Sequence, residues 1–200
     1  MGLIARSSES NTSYTQVPVG IYKAVCIKVI DLGTQRQEYN GDVSWKRQVL
    51  IIWELPEETN EGVPMTISKF YTLSLHEKSN LGIDLTAWRG RAFTEEEKAG
   101  FDIGNLIGIG CTLNITEGKN GKSRVNNIMP LSKADVLPPI YNDKVLFLID
   151  DYTNNKTEVF NQLSEGIRNI ILRSKELENK DIDMGDGGNG TSFDSDDIPF

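Results

Sequence analysis

The apolar positions of this chain change period along its length, and the changes mark out its elements. Over residues 20–30, Ile21, Val25, Ile27 and Val29 share one phase of a two-residue alternation, which predicts a strand. Asp31-Leu32-Gly33 and the polar stretch to Asp42, with the turn pair Asn40-Gly41, predict a loop. A second strand is expected over 43–55, polar where it opens as Trp45-Lys46-Arg47 and continuously apolar over 49–53. An acidic turn over 56–62 leads to a third strand, 65–73. Ser74 then stands three residues before Glu77, the spacing of a capping box, and Leu81, Leu85 and Trp88 recur at i, i+4, i+7. That predicts a helix ended by Gly90, and Thr94 with Glu97 repeats the capping spacing for a short second one. A connection over 101–110 leads to a fourth strand, 111–116, which Asn120-Gly121 turns into a fifth, 123–129.

Three strands, a helix and two strands is the element order of the OB-fold, a five-stranded Greek-key barrel with its helix between strands three and four. We therefore expect a mainly β body of that kind over residues 17–135, closed by Leu137-Pro138-Pro139. Beyond it, 145–149 reads as a buried strand. Asn155 with Glu158 predicts a capped helix to about residue 178, with Phe160, Leu163, Ile167 and Ile170 as its apolar stripe. This strand-helix appendage, 136–180, exceeds a minimal barrel. Its stripe must be covered either by the barrel or by a second copy of the chain, so a homo-oligomer stays open. Residues 1–16 are polar and expected to be disordered. Residues 181–200 read as a Gly-rich flexible linker and a disordered acidic tail.

Charge refines this picture. The formal net charge is −8, but residues 181–200 hold six Asp and no Lys or Arg. The rest carries 21 basic against 23 acidic residues, so a nucleic-acid groove must be a local stripe rather than a basic surface. Cys26 and Cys111 lie in strand-like runs and read as buried, reduced thiols. The first seventeen residues do not resemble a secretory signal, and no apolar run reaches membrane-spanning length. A cytoplasmic protein with no membrane partner and no cofactor is expected.

Binding single strands without sequence preference needs cations along the backbone path and aromatic faces for bases. Three clusters combine or approach this. Trp45, Lys46 and Arg47 open the second strand, with Trp45 and Arg47 on one face and Lys46 on the other. Lys69, Phe70 and Tyr71 lie in the third, where one of the two rings must point inward. Lys119, Lys122 and Arg124 lie around the turn between the fourth and fifth strands. Arg89 and Arg91 follow the first helix and suit either phosphate or the helix dipole. Trp53, in an apolar run, and Trp88, on the helix stripe, read as core. Several catalytic or metal-binding signatures fail on inspection. Gly121-Lys122-Ser123 lacks the first glycine of a phosphate loop, and Asp181-Ile182-Asp183 lacks the glycine and glutamate of a calcium loop. The only histidine, His76, reads as a surface residue at the helix start. Asp150-Asp151 lacks an acidic partner at suggestive spacing for a metal-dependent nuclease.

The chain finishes as Asp194-Ser195-Asp196-Asp197-Ile198-Pro199-Phe200. Clustered carboxylates ahead of an apolar tip suit a partner's pocket with a basic rim; a mere solubiliser has no use for the apolar residues. This tip resembles the acidic C-terminal hook of bacterial single-stranded-DNA-binding (SSB) proteins, and also that of phage SSB proteins. The run from Lys69 through Leu81, with Trp88-Arg89-Gly90-Arg91-Ala92-Phe93-Thr94, resembles phage-encoded replication proteins over about residues 17–150. The opening strand departs from the bacterial SSB pattern, which points to a phage SSB-like protein rather than a bacterial tetramer. The resemblance implies a non-enzymatic protein that coats single-stranded DNA in replication, recombination or repair. It also implies recruitment of partners through Asp194, Asp196, Asp197, Ile198, Pro199 and Phe200. The alternatives are an accessory factor using the same hook without coating DNA, a nuclease built on Asp150 and Asp151, and a structural protein with a solubilising tail.

Overall fold

A computed structural model describes residues 16–39, 41–58 and 61–178. The expected N-terminal segment to residue 15 and the acidic tail lie outside them. Among the described residues there are six strands: β1 (Gly20–Tyr39), β2 (Asp42–Glu58), β3 (Pro64–Thr72), β4 (Gly110–Glu117), β5 (Ser123–Pro130) and β6 (Val145–Phe147). The first five form an open antiparallel sheet in the order β3-β2-β1-β4-β5. The short β6 adds to β1 in parallel at Lys28, Val29 and Ile30. The helices are α1 (Asn80–Arg89), α2 (Glu95–Ala99), α3 (Ile149–Thr153), α4 (Glu158–Gln162) and α5 (Glu165–Leu172). No helix among the described residues is long and apolar enough to cross a membrane.

The sheet carries a separate core on each face, which explains the unbroken apolar run in β2. Val49, Ile51, Trp53 and Leu55 face a first core, shared with β3, β4, β5 and α1. Leu50 and Ile52 face a second, shared with Phe147, Ile149, Phe160, Ile167 and Ile171. A strand buried on both faces loses its alternation. β1 shows the same logic with a twist. The sequence places Ile21, Val25, Ile27 and Val29 in one phase, but Ile21 is 70% exposed and a β-bulge lies between Cys26 and Lys28. The bulge inserts a residue and flips the phase. Ala24, Cys26 and Val29 therefore enter the first core, while Ile27, Ile30 and Leu32 enter the second.

Further expectations are corrected. The loop expected over 31–42 is a strand: β1 continues to Tyr39 and pairs with β2 residue by residue, from Gly33 opposite Gln48 to Tyr39 opposite Asp42. At the connection Gly41 takes a φ of +88°, in keeping with its turn signal. The first helix begins at Asn80 rather than near Ser74, because Ser79 is its N-cap and accepts from the Gly82 N–H (3.0 Å). Ser74 instead accepts from His76 N (3.2 Å), leaving the Ser74–Glu77 box unformed. A Cβ on Gly82 would lie 2.5 Å from the His76 carbonyl, so this turn closes only on glycine. The Thr94–Glu97 capping box does form, with both reciprocal hydrogen bonds.

At the C-terminal end, the strand is three residues long and Ile149 already starts α3. The single helix expected over 155–178 is broken into α4 and α5, because Leu163 is extended (ψ 151°) between them. Asn155 is no cap; it sits at φ +65°. The stripe Phe160, Leu163, Ile167 and Ile170 is nevertheless buried, on the sheet's second face. The connecting segment is fastened by Glu54, a buried carboxylate that accepts from Tyr141 N (2.7 Å), Asn142 N (2.9 Å) and Asn142 Nδ2 (2.7 Å). Three donors satisfy a charge that burial without partners would make costly.

Candidate nucleic-acid interface

Where β1 and β2 leave the two cores, they run on as a two-stranded arm over residues 33–39 and 42–48. On β2 every residue from Asp42 through Arg47 is exposed. Trp45, Lys46 and Arg47 stand opposite Arg36, Gln35 and Thr34. Of the three tryptophans, Trp45 is 40% exposed, whereas Trp53 and Trp88 are buried in the first core with ring centroids 6.0 Å apart. The Lys175 ammonium lies 5.6 Å from the centre of the Trp45 ring.

The root of the arm is a junction of three chain segments. Asp31, buried at the second irregularity of β1, accepts from Gly33 N (3.0 Å) and from the Arg47 guanidinium at both oxygens. The same carboxylate raises the Arg47 pKa through that hydrogen bond. Gly33 has φ +72°, and a Cβ there would lie 2.6 Å from Ile149 Cδ1 and 2.7 Å from Ser174 Cβ. Only glycine lets the C-terminal segment close this tightly. Lys175 N donates to the Thr34 carbonyl (2.9 Å), and Glu176 accepts from Thr34 N and Thr34 Oγ1, both at 2.7 Å. Gln35 Nε2 reaches the Ile170 carbonyl (3.0 Å).

The other sequence candidates are differently placed. Tyr71 turns into the first core and donates to Asp84 (2.7 Å), and Lys69 donates to the same carboxylate (2.7 Å). Burial, and then the Asp84 charge, push the Tyr71 phenol well above its ordinary value. Phe70 points the other way and packs half-buried against the second core. Arg89 and Arg91 both close on Glu97, whose carboxyl is held far below its ordinary value by Arg91, then Arg89, then the Thr94 N–H. Arg89 also lies 4.1 Å from the centre of the Phe93 ring. The β4–β5 turn is tied by Gly118 N to the Lys122 carbonyl (2.7 Å), with Lys119 and Arg124 exposed.

The register shows which of these meet. The β4–β5 turn lies beyond the start of β1, where Gly20 opposes Ile115, while the arm leaves from the opposite end. The structure thus brings Trp45 together with Lys175 and with Arg36, itself paired with Glu38 (2.9 Å). It keeps Arg47 in the grip of Asp31 and Lys46 on the opposite face, and leaves the other candidates elsewhere. Lys175, Asp31 and Arg36 were not legible as site residues. Nothing local in the sequence ties position 175 to position 45.

The remaining chemistry is quiet. Cys26 and Cys111 are free and buried, and burial pushes the Cys26 thiol up to about 12. His76 is exposed in the turn before α1, its Nδ1 accepting from Lys78 N (3.1 Å). Asp151 pairs with Lys156 (2.9 Å). Among the described residues, no three His, Cys, Asp or Glu side chains gather in a set that could hold a metal ion. Asp194, Asp196, Asp197, Ile198, Pro199 and Phe200 lie outside the described residues. No known family model matches the chain, and no curated protein matches it.

Proposed function

We propose that this chain is a phage-type, non-enzymatic single-stranded-DNA-binding protein whose arm offers the stacking surface and whose acidic tip recruits replication, recombination or repair proteins. The exposed Trp45, with Lys175 over its ring, Arg36 opposite it and Lys46 and Arg47 next along its strand, carries the reading, because an aromatic face with nearby cations is what a sequence-tolerant strand binder needs. The body supports it as an OB-fold. In the order β3-β2-β1-β4-β5 the free edges are β3 and β5, the pair whose meeting closes a five-stranded barrel, and α1 packs against both. The first core draws on all five strands and α1, as the inside of such a barrel does.

One observation favours the runner-up, an accessory factor that uses the tip without coating DNA. The appendage covers the second face of β1 and β2, burying Leu50 and Ile52 and packing on Phe70, a face that OB-folds commonly offer to nucleic acid. Titration with poly-dT under tryptophan fluorescence separates the two. With Trp53 and Trp88 buried, saturable quenching reports Trp45, and it should vanish in Trp45→Phe. No binding by the wild type leaves the accessory role. Deleting residues 194–200 should abolish capture of partner proteins while leaving poly-dT affinity equal or modestly higher at low salt. A tail-less protein that no longer binds poly-dT rejects the division of labour.

A further inference from the structure

We propose that Lys175 is a nucleic-acid-contacting residue of the arm: in the free protein its ammonium occupies the Trp45 ring, and on binding it yields that ring to a base and moves to the adjoining phosphate. The inference rests on the strand-binding reading above. Its geometry is specific. The Lys175 backbone is pinned by its N–H to the Thr34 carbonyl, and on either side Ser174 and Leu177 are buried. The neighbouring Glu176 carboxylate is engaged by the Thr34 N–H and hydroxyl. What remains free to swing is the exposed side chain, a flexible four-carbon stem ending in a point charge, 5.6 Å from the ring centre. An exposed cation–π contact is weaker than a stacked base, so the exchange at Trp45 runs downhill, and the displaced ammonium finds the negative charge the nucleotide brings with it.

Two simpler roles predict different outcomes. If Lys175 only shields Trp45, Lys175→Ala should bind poly-dT more tightly with an unchanged salt dependence. If it only decorates the surface, neither should change. The proposal expects Lys175→Ala to lose affinity severalfold at low salt. It also expects the log–log salt slope to flatten by about 0.7, one phosphate contact on a single strand. Lys175→Arg, which keeps the charge, should retain the slope. Thermal melting of Lys175→Ala alongside the wild type excludes an unfolded arm as the cause, since the backbone bond to Thr34 survives the substitution. A slope unchanged in Lys175→Ala, with wild-type binding intact, overturns this assignment alone. A wild type that does not bind poly-dT overturns it together with the reading beneath it.

Discussion

β2 is two strands in one. From Val49 to Leu55 every residue is buried, and from Asp42 to Arg47 every residue is exposed. Both halves pair with β1 in the same antiparallel ladder. Hydrogen bonding therefore makes the strand in both, whereas side-chain burial makes the fold in only one. The exposed half has no core to hold it, and an isolated two-stranded ribbon is marginal in water. Its support comes from the root, where Asp31 grips Arg47 and Glu176 grips Thr34. A ribbon supported from one end leaves the side chains beyond that root, Trp45 and Lys46 among them, exposed for contact with something else.

Trp53 and Trp45 put this comparison to its hardest test. Trp53→Ala should destabilise the protein by about 3–5 kcal/mol in chemical unfolding, the cost of truncating a large buried aromatic. Ile171→Ala, in the second core and fully buried, should cost about 2–5 kcal/mol, because the appendage is packed as core rather than attached as an extra. A change near zero at Ile171 would show that the appendage is dispensable and would return its stripe to the role of a subunit contact. Trp45→Ala should shift stability by no more than about 0.5 kcal/mol while weakening poly-dT binding by about 1–3 kcal/mol. If Trp45→Ala instead unfolds the protein as Trp53→Ala does, the two halves of β2 are not different in kind.

The same contrast explains what the sequence revealed. Elements with one buried face and one exposed face announced themselves: Leu81, Leu85 and Trp88 on α1, and the stripe Phe160, Leu163, Ile167 and Ile170. The run 49–53 announced a buried strand but not that two cores share it. The arm half of β1 reads as a loop from sequence, since its run from Thr34 to Glu38 is polar throughout and leaves no periodic trace in hydrophobicity. The bulge after Cys26 was invisible for another reason: it is set by pairing with β2, not by local residue type. For the site, residue chemistry picked out Trp45, Lys46 and Arg47. It could not see that Asp84 engages Lys69 and Tyr71, that Glu97 engages Arg89 and Arg91, or that Lys175 arrives from far along the chain.

The smallest effect probes how the arm is fastened. Burial pushes the Glu176 carboxyl up, but the Thr34 N–H and hydroxyl, its own N–H and the Arg47 charge together outweigh it, leaving the group below its ordinary value. A carboxylate more acidic in the folded state supports the fold above its unfolded pKa and loses that support as pH falls through the folded one. The side-chain part of the clasp should therefore be intact at neutral pH and open only below the ordinary glutamate value of about 4.3. Iodide quenching selects the exposed Trp45 over its two buried counterparts, so accessibility of its fluorescence should change in that acid window. Glu176→Gln should abolish the transition while the far-UV signal of the sheet holds, because the Lys175 N–H still reaches the Thr34 carbonyl. A transition that persists in Glu176→Gln would show that the Glu176 carboxylate does not fasten the arm. In that case the C-terminal clasp holds the arm by backbone alone, through the Lys175 N–H on the Thr34 carbonyl.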